Sequence, residues 1–192
     1  ILDNFEQGRD KAVWISMNDK LFADAQRDWA DTTGRGKDEI HLQGKTKLQN
    51  KIDFGSGILF TTYPTLRTEK GQLSRINQIV EWLGKDFDGV IAFDEAHNMG
   101  NLLGSSGKFG RTKGSAMAAA AVKLQSLLPK ARVVYVSATA ATDVQGLAFA
   151  SRLGLWGRGT AFTDVNDFVS KIQSAGLAAM ELVVRDMKAM GV

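Results

Sequence analysis

Three side chains with acid–base or metal-binding chemistry stand close together, directly after a short apolar run. The run is Val90–Phe93, and it leads into Asp94, Glu95 and His97. A carboxylate at the carboxyl end of a parallel strand can hold Mg²⁺, usually through water, beside the phosphates of a nucleotide. Glu95 points differently from Asp94 and can orient or deprotonate an attacking water. The alternative is that Asp94 caps the next turn and the other side chains are solvated.

A second apolar run ends in hydroxyl groups. Ser137 and Thr139 flank a small residue after the run that begins at Arg132. Their hydroxyls can hydrogen-bond to an acid or an imidazole at a neighbouring strand end. Ser and Thr are also common in turns, so this pattern alone is a weak signal.

The elements that must position these side chains follow an alternating pattern. Continuously apolar runs predict parallel strands that are buried on both faces, and helical patterns lie between them. This alternation predicts an α/β fold, a parallel sheet flanked by helices. The predicted strands are 12–16, 58–62, 90–93 and 132–137, and the predicted helices between them are 18–30, 72–83 and 115–128.

The pattern changes after Ser137. Helical patterns over 142–153, 164–175 and 177–190 follow one another with no strong strand between them. We therefore predict a sheet domain over residues 1–140 and a helical C-terminal extension over 141–192, packed on the same domain.

Two segments have the composition of mobile loops. Residues 31–57 are polar, and residues 100–114 hold five glycines together with the cations Lys108, Arg111 and Lys113. Clustered cations in a flexible loop can contact phosphates. The alternative is a solvated surface loop.

Composition sets the remaining bounds. The chain has 192 residues, of which 44% are hydrophobic and 23% are charged, as in an ordinary globular protein. A net charge of +3 permits a nucleic-acid partner without requiring one. There is no cysteine, no apolar run long enough to span a membrane and no visible signal peptide, so we expect a cytoplasmic protein with no membrane partner.

Two of these motifs resemble a known family of motor proteins. "DEAH" at 94–97, followed about 40 residues later by "SAT" at 137–139, resembles motifs II and III of superfamily-2 helicases. More closely, nearly the whole chain resembles the strawberry notch family, in particular its bacterial and phage helicase-like relatives. The more specific segments are "RLGLWGRGTAF" (152–162) and "AAMELVVRDMKAMG" (178–191), which are not general helicase motifs.

The resemblance implies a RecA-like motor domain that uses ATP and Mg²⁺. It implies that Asp94 assists Mg²⁺ and that Glu95 is the catalytic base. His97, Ser137 and Thr139 would couple the nucleotide state to the grip on nucleic acid.

The resemblance also implies contacts with nucleic acid, which we expect to be DNA. "VWIS" (13–16) and "TTY" (61–63) match the positions of the family's motifs Ia and Ib. Ser16, Thr61 and Thr62 would then touch the sugar-phosphate backbone without reading its sequence.

One expected motif is missing. Gly44, Lys45 and Thr46 imitate the end of a phosphate-binding loop, but the position five before Gly44 is Glu39 and no clear strand precedes it. In the family this loop lies just before a stretch similar to residues 1–11, and a second RecA-like domain carries an arginine finger. We therefore expect the chain to begin within the helix after that loop, to hydrolyse ATP negligibly alone, and to self-associate through an exposed sheet edge.

Two other classes of function stay open. The first is a non-catalytic interaction module, since animal strawberry notch proteins are associated with transcriptional regulation. The complete "DEAH" and "SAT" motifs argue against it, because a scaffold does not need them. The second is a nuclease or other metal-dependent hydrolase, which would need further carboxylates at neighbouring strand ends.

Overall fold

The chain forms two compact units. The computed structural model describes residues 1–107, 110–137 and 144–189, with 105–107 and 110–112 described through their backbone alone. The first unit comprises Ile1–Ala96 and Ala120–Ala138, and the second comprises His97–Ala119 and Thr139–Val192. Residues 97–119 thus belong with the C-terminal helices, which a boundary near residue 140 does not anticipate. The packing of the helical extension on the sheet domain stays a prediction.

The first unit contains a five-stranded parallel sheet in the order β2-β3-β1-β6-β9. The predicted fold class, a parallel sheet flanked by helices, is confirmed. The strands of the sheet are β1 (Lys11–Ser16), β2 (Ile40–Leu42), β3 (Gly57–Thr62), β6 (Val90–Phe93) and β9 (Arg132–Tyr135). The helices of this unit are α1 (Leu2–Glu6), α2 (Phe22–Thr33), α3 (Tyr63–Leu66), α4 (Arg75–Leu83) and most of α5 (Ala116–Leu127).

The three central strands are the apolar runs that the sequence marks most clearly. All six residues of β3 are buried, and Val13, Ile15 and Ile91 have no exposed surface. One face of the sheet packs on α2, where Trp29 joins the apolar cluster of the strands. Strands covered on both faces need no alternation of polar and apolar residues, which is why continuous runs predict them well.

The prediction that the fourth run is buried on both faces is wrong. Val134 is 45% exposed and Val136 is 50% exposed. The reason is position, since β9 is the outermost described strand on its side of the sheet and pairs with β6. The burial of this strand depends on its place in the strand order, and an apolar run in the sequence does not specify that place.

Helix boundaries follow local capping. The side chain of Asn18 accepts a hydrogen bond from the backbone of Lys20 and starts a 3-10 turn that leads into α2, as predicted. Ser74 caps α4 by accepting from the backbone of Asn77. The predicted helix over 72–83 starts too early, because Leu73 is 44% exposed and lies in β5 (Leu73–Ser74), which pairs with β4 (Glu69–Lys70).

Both segments predicted as loops contain regular structure. The segment 31–57 holds the edge strand β2, which is only three residues long and therefore lacks a clear sequence pattern. The segment 100–114 holds a small antiparallel hairpin of β7 (Ser105–Gly107) and β8 (Gly110–Thr112). Glycine-rich segments can also form backbone hydrogen bonds between strands, so glycine content alone does not predict a mobile loop.

The second unit has its own apolar core. Its helices are α6 (Val165–Ala175), which Asp164 caps, and α7 (Leu177–Ala189). The core gathers around Phe168, whose ring contacts those of Trp156 and Phe162. The predicted helix over 142–153 is wrong where the structure describes it, since only a 3-10 turn at Val144–Leu147 forms there. Among the described helices, none has the length and apolar character that crossing a bilayer requires.

Candidate functional site

The carboxyl end of the sheet brings Asp94 beside a buried hydroxyl. In the register of β1 and β6, Ile15 lies opposite Phe93, so Ser16 and Asp94 follow at adjacent strand ends. The hydroxyl of Ser16 donates a hydrogen bond to Oδ2 of Asp94 over 3.0 Å. The backbone N–H of Asp94 donates to the carbonyl of Ile15 over 2.8 Å, which continues the ladder one residue beyond the strand. Asp94 is thus held at both its backbone and its side chain.

Glu95 has a constrained backbone. Its φ is +52°, the one positive value at a non-glycine position in the described part of the chain. Such a conformation costs about 1 kcal/mol or more for a residue with a side chain. The next residue, Ala96, is fixed by its N–H, which donates to the carbonyl of Val136 over 2.8 Å. The half-buried Glu95 therefore lies in a turn whose neighbouring residues on both sides are fixed by backbone hydrogen bonds.

A buried tyrosine holds the peptide between the two acids. The hydroxyl of Tyr63, at the start of α3, donates to the backbone carbonyl of Asp94 over 2.8 Å. Burial raises the pKa of the Tyr63 phenol well above its ordinary value, and the charges of Asp94 and Glu95 raise this pKa further. The phenol therefore keeps its proton and remains a donor at physiological pH.

Sequence reasoning missed Tyr63. The available signal was a tyrosine directly after the buried strand β3, because a buried phenol needs a hydrogen-bond partner. The identity of that partner depends on strand order, since the side chain must cross β1 to reach the end of β6.

Aromatic rings continue from Tyr63 beneath this strand end. The ring of Phe93 is stacked with that of Tyr63 at 6.5 Å between centroids and with that of Tyr135 at 5.7 Å. The hydroxyl of Tyr135 donates to the side-chain carbonyl of Gln125 on α5. These three rings, Tyr63, Phe93 and Tyr135, are named the aromatic row below.

The hydroxyls predicted to touch nucleic acid lie inside the protein. Ser16 is 0% exposed, Thr61 is 1% exposed and Thr62 is 3% exposed. The Thr61 hydroxyl donates to Oε1 of Gln43 over 2.7 Å, and the Thr62 side chain caps α3 by accepting from the backbone of Thr65. In the structure the three hydroxyls bind neighbouring protein groups, and their predicted contact with the sugar-phosphate backbone of nucleic acid stays a prediction.

The remaining predicted residues are spread over both units. Ser137 is exposed after β9, while His97 is exposed in the second unit, where Asn98 Nδ2 lies 3.3 Å from its Nε2. Lys113 is exposed after β8, and Arg111 is described by its backbone alone. Thr139 and Lys108 lie outside the described residues. Their predicted roles stay predictions.

The segment Gly44–Thr46, which imitates the end of a phosphate-binding loop in sequence, lacks the structural context of such a loop. It begins in a 3-10 turn, Gln43–Lys45, after an edge strand. The Lys45 ammonium lies over the ring of Phe22, 5.6 Å from its centroid. A cavity of about 600 Å³ runs along β2 here, and both lysines and aspartates line it. Mixed charge of this kind does not select a phosphate.

The donor set at Asp94 is compatible with Mg²⁺. Mg²⁺ is commonly held by one or two carboxylates, with water and substrate phosphates as its other ligands. Asp94, with Ser16 on one of its oxygens, can serve as such a carboxylate. Over the described residues, no group of three or more acids, histidines or cysteines is placed to hold a metal.

Fold and strand end together define the class. A parallel sheet with an acid at the carboxyl end of an inner strand is the arrangement of P-loop nucleoside-triphosphate hydrolases, proteins that in general use a nucleotide and Mg²⁺. The chain belongs to the family described as "P-loop containing NTP hydrolase pore-1", whose profile matches residues 1–192.

The relatives of this chain are strawberry notch proteins. It is 40% identical over 205 residues to protein strawberry notch of Drosophila melanogaster and 42% identical over 195 residues to strawberry notch homolog 2 of Mus musculus. It is also 40% identical over 196 residues to protein FORGETTER 1 of Arabidopsis thaliana. Each match covers all of this chain but only 12%, 14% and 15% of the respective relative. These relatives are eukaryotic, so the predicted bacterial or phage origin gains no support from them.

Proposed function

We propose that this chain is part of the ATP-dependent motor domain of a superfamily-2 helicase-like or translocase-like protein. The whole protein would couple ATP hydrolysis to remodelling of nucleic acid, with DNA as the expected substrate. The observation that carries the proposal is the strand end at which Ser16 holds Asp94 and Glu95 follows in a left-handed turn.

Each residue of this strand end has a distinct task. Asp94 would hold a hydrated Mg²⁺ ion, and the hydrogen bond from Ser16 orients the carboxylate for this role. When bound, Mg²⁺ neutralises the charge that develops on the transferring phosphoryl group. Glu95 would orient the attacking water and accept its proton as the new bond to the γ-phosphorus forms, while the bond from that phosphorus to the β–γ bridging oxygen breaks and ADP leaves. A non-catalytic module would have no use for a strained acid beside a half-buried, oriented carboxylate.

Nucleic acid is the proposed partner. Lys108, Arg111 and Lys113 supply cations in one short segment, and such contacts weaken as salt competes for the phosphates. His97, Ser137 and Thr139 are proposed to couple nucleotide state to this grip, together with a second RecA-like domain in the parent protein. Thr61 and Thr62 are proposed to act indirectly, through the backbone that they position.

The proposal is tested by Mg²⁺-dependent ATP hydrolysis in the full-length protein that contains this chain. Turnover is measured without nucleic acid, with single-stranded DNA and with double-stranded DNA. Glu95→Gln should abolish turnover while the protein still binds nucleotide. The matched control is Glu81→Gln on α4, because Glu81 is exposed and its ion pair with Lys51 contributes little.

The outcomes separate the candidate functions. DNA-stimulated turnover that Glu95→Gln removes and Glu81→Gln retains supports the motor. A folded protein without turnover under all these conditions would reject it in favour of an interaction module. Turnover that survives in Glu95→Gln would remove Glu95 from the chemistry.

A further inference from the structure

We infer that Tyr63 is a positioning residue for the proposed hydrolysis. Its hydroxyl holds the peptide between Asp94 and Glu95 in the turn that directs the Glu95 carboxylate. This inference rests on the proposed function and adds a residue that lies outside the acid motif, on a different strand and helix.

The first argument is the atom that Tyr63 binds. Its hydroxyl donates over 2.8 Å to the carbonyl of Asp94, and this carbonyl belongs to the peptide that joins Asp94 to Glu95. Rotation about the N–Cα bond of Glu95 relative to this peptide is the angle φ, which stands at +52°. Fixing the peptide plane therefore fixes the starting direction of the Glu95 side chain.

The second argument is strain. A left-handed glutamate tends to relax to negative φ unless its surroundings prevent this. Two backbone hydrogen bonds, from the N–H of Asp94 to the carbonyl of Ile15 and from the N–H of Ala96 to the carbonyl of Val136, fix the two ends of the turn. The Tyr63 hydroxyl fixes the peptide between them. Without this bond, the peptide between the two acids loses one of the contacts that fix it, so the direction in which the Glu95 side chain leaves the backbone is less constrained.

The third argument is the rigidity of Tyr63 itself. The side chain is 0% exposed, and Phe93 stacks on its ring. Tyr63 is the first residue of α3, whose cap is the buried Thr62. A donor that is held on a strand end, in a helix and in a ring stack has little freedom to follow a moving acceptor. The direction of Glu95 consequently depends on the junction between β3 and α3.

The test compares two tyrosines that lose the same atom. Tyr63→Phe removes the hydroxyl that binds the acid peptide. Tyr135→Phe, the matched control, removes a hydroxyl from the other end of the aromatic row, where it donates to the side chain of Gln125. Each variant loses a partly buried hydrogen bond, and urea denaturation measures the accompanying loss of stability so that it can be separated from an effect on turnover.

Two readouts are taken in the full-length protein. The first is the division of the effect between kcat and KM for ATP. Tyr63→Phe should lower kcat roughly tenfold and change KM by no more than about twofold, since positioning for the transition state differs from substrate binding. The second is amide hydrogen exchange in nucleotide-free protein, which should accelerate over residues 94–96 in Tyr63→Phe. Tyr135→Phe should show neither effect.

The inference is overturned if Tyr63→Phe matches Tyr135→Phe in kcat and in exchange over residues 94–96. It is also overturned if the loss appears in KM with kcat intact, because Tyr63 would then assist binding and not positioning. Failure of the proposed function is seen separately, in wild-type protein that folds and does not hydrolyse ATP.

Discussion

Ser16 and Asp94 form a hydrogen-bonded pair across two adjacent parallel strands, with 3.0 Å between Oγ and Oδ2. The pair places a fully buried hydroxyl against a half-buried carboxylate. It gives Ser16 a role within the protein, in contrast to the nucleic-acid contact that the motif resemblance implies. The orientation of the acid is thus determined by β1 as well as by its own strand.

Removing this hydroxyl should destabilise the protein. Ser16→Ala leaves one carboxylate oxygen without its donor, so we expect the free energy of unfolding to fall by about 1–2 kcal/mol. Urea denaturation measures the change. The control is Ser126→Ala, because the exposed Ser126 hydroxyl bonds only within its helix, and a change below about 0.5 kcal/mol is expected there. Equal effects of the two substitutions would show that the Ser16 bond is not special.

Relieving the strain at Glu95 should stabilise the protein. Glu95→Gly replaces a side chain at φ +52° by the residue that adopts this conformation most readily, so the free energy of unfolding should rise by about 0.5–1 kcal/mol. The same substitution in a helix, Glu81→Gly, should lower it by about 1 kcal/mol. Thermal and urea denaturation measure the change in the free energy of unfolding for both variants. A loss of stability in Glu95→Gly would mean that contacts of the glutamate outweigh its strain.

The buried side-chain amide of Gln43 should contribute strongly to the stability of the protein. Gln43 is 0% exposed, accepts from Thr61 and donates to Gln78 Oε1 over 3.0 Å. Gln43→Ala leaves these buried groups unsatisfied, so we expect a loss of about 2–3 kcal/mol in the free energy of unfolding. Gln7→Ala is the control, because Gln7 is exposed and bonds to exposed Asp3. Comparable urea midpoints for the two variants would contradict the prediction.

The stability of the first unit should depend on the protonation of His41. Burial, with the ring stacked on Phe54 at 3.7 Å, lowers the pKa of His41 below its ordinary 6.5, against the opposing charges of Asp38 and Asp53. The unfolded chain therefore binds the proton more readily, and stability is lost as pH falls below the unfolded pKa. The free energy of unfolding of wild type should therefore fall relative to that of His41→Gln between about pH 7.5 and about pH 5.5. Urea denaturation of both proteins at several pH values measures this change. If wild type instead gains stability relative to His41→Gln as the pH falls, the pKa of His41 is raised by folding and the prediction is wrong.

Local signals predicted the central framework. The runs at β1, β3 and β6 and the caps Asn18 and Ser74 act over a few residues, and each is visible in the sequence. The acids after β6 were predicted at the carboxyl end of the sheet for the same reason, since they directly follow an apolar run.

Features that depend on strand order could not be predicted in this way. Ser16 ends β1, but only the adjacency of β1 and β6 makes Asp94 its partner. Tyr63 reaches the acid peptide only because β3, β1 and β6 stand side by side. The exposure of Val134 likewise depends on which strand is outermost. The sequence contains the donors and acceptors, whereas the topology pairs them.

The aromatic row has a spectroscopic consequence. This chain has two tyrosines, and they are the two ends of the row, Tyr63 beside the acids and Tyr135 beside α5. Fluorotyrosine incorporated into this chain would therefore give two ¹⁹F resonances, one for each end. The substitution Glu95→Gln should shift the Tyr63 resonance more strongly than that of Tyr135, because Tyr63 binds the peptide that precedes Glu95 whereas Tyr135 binds Gln125.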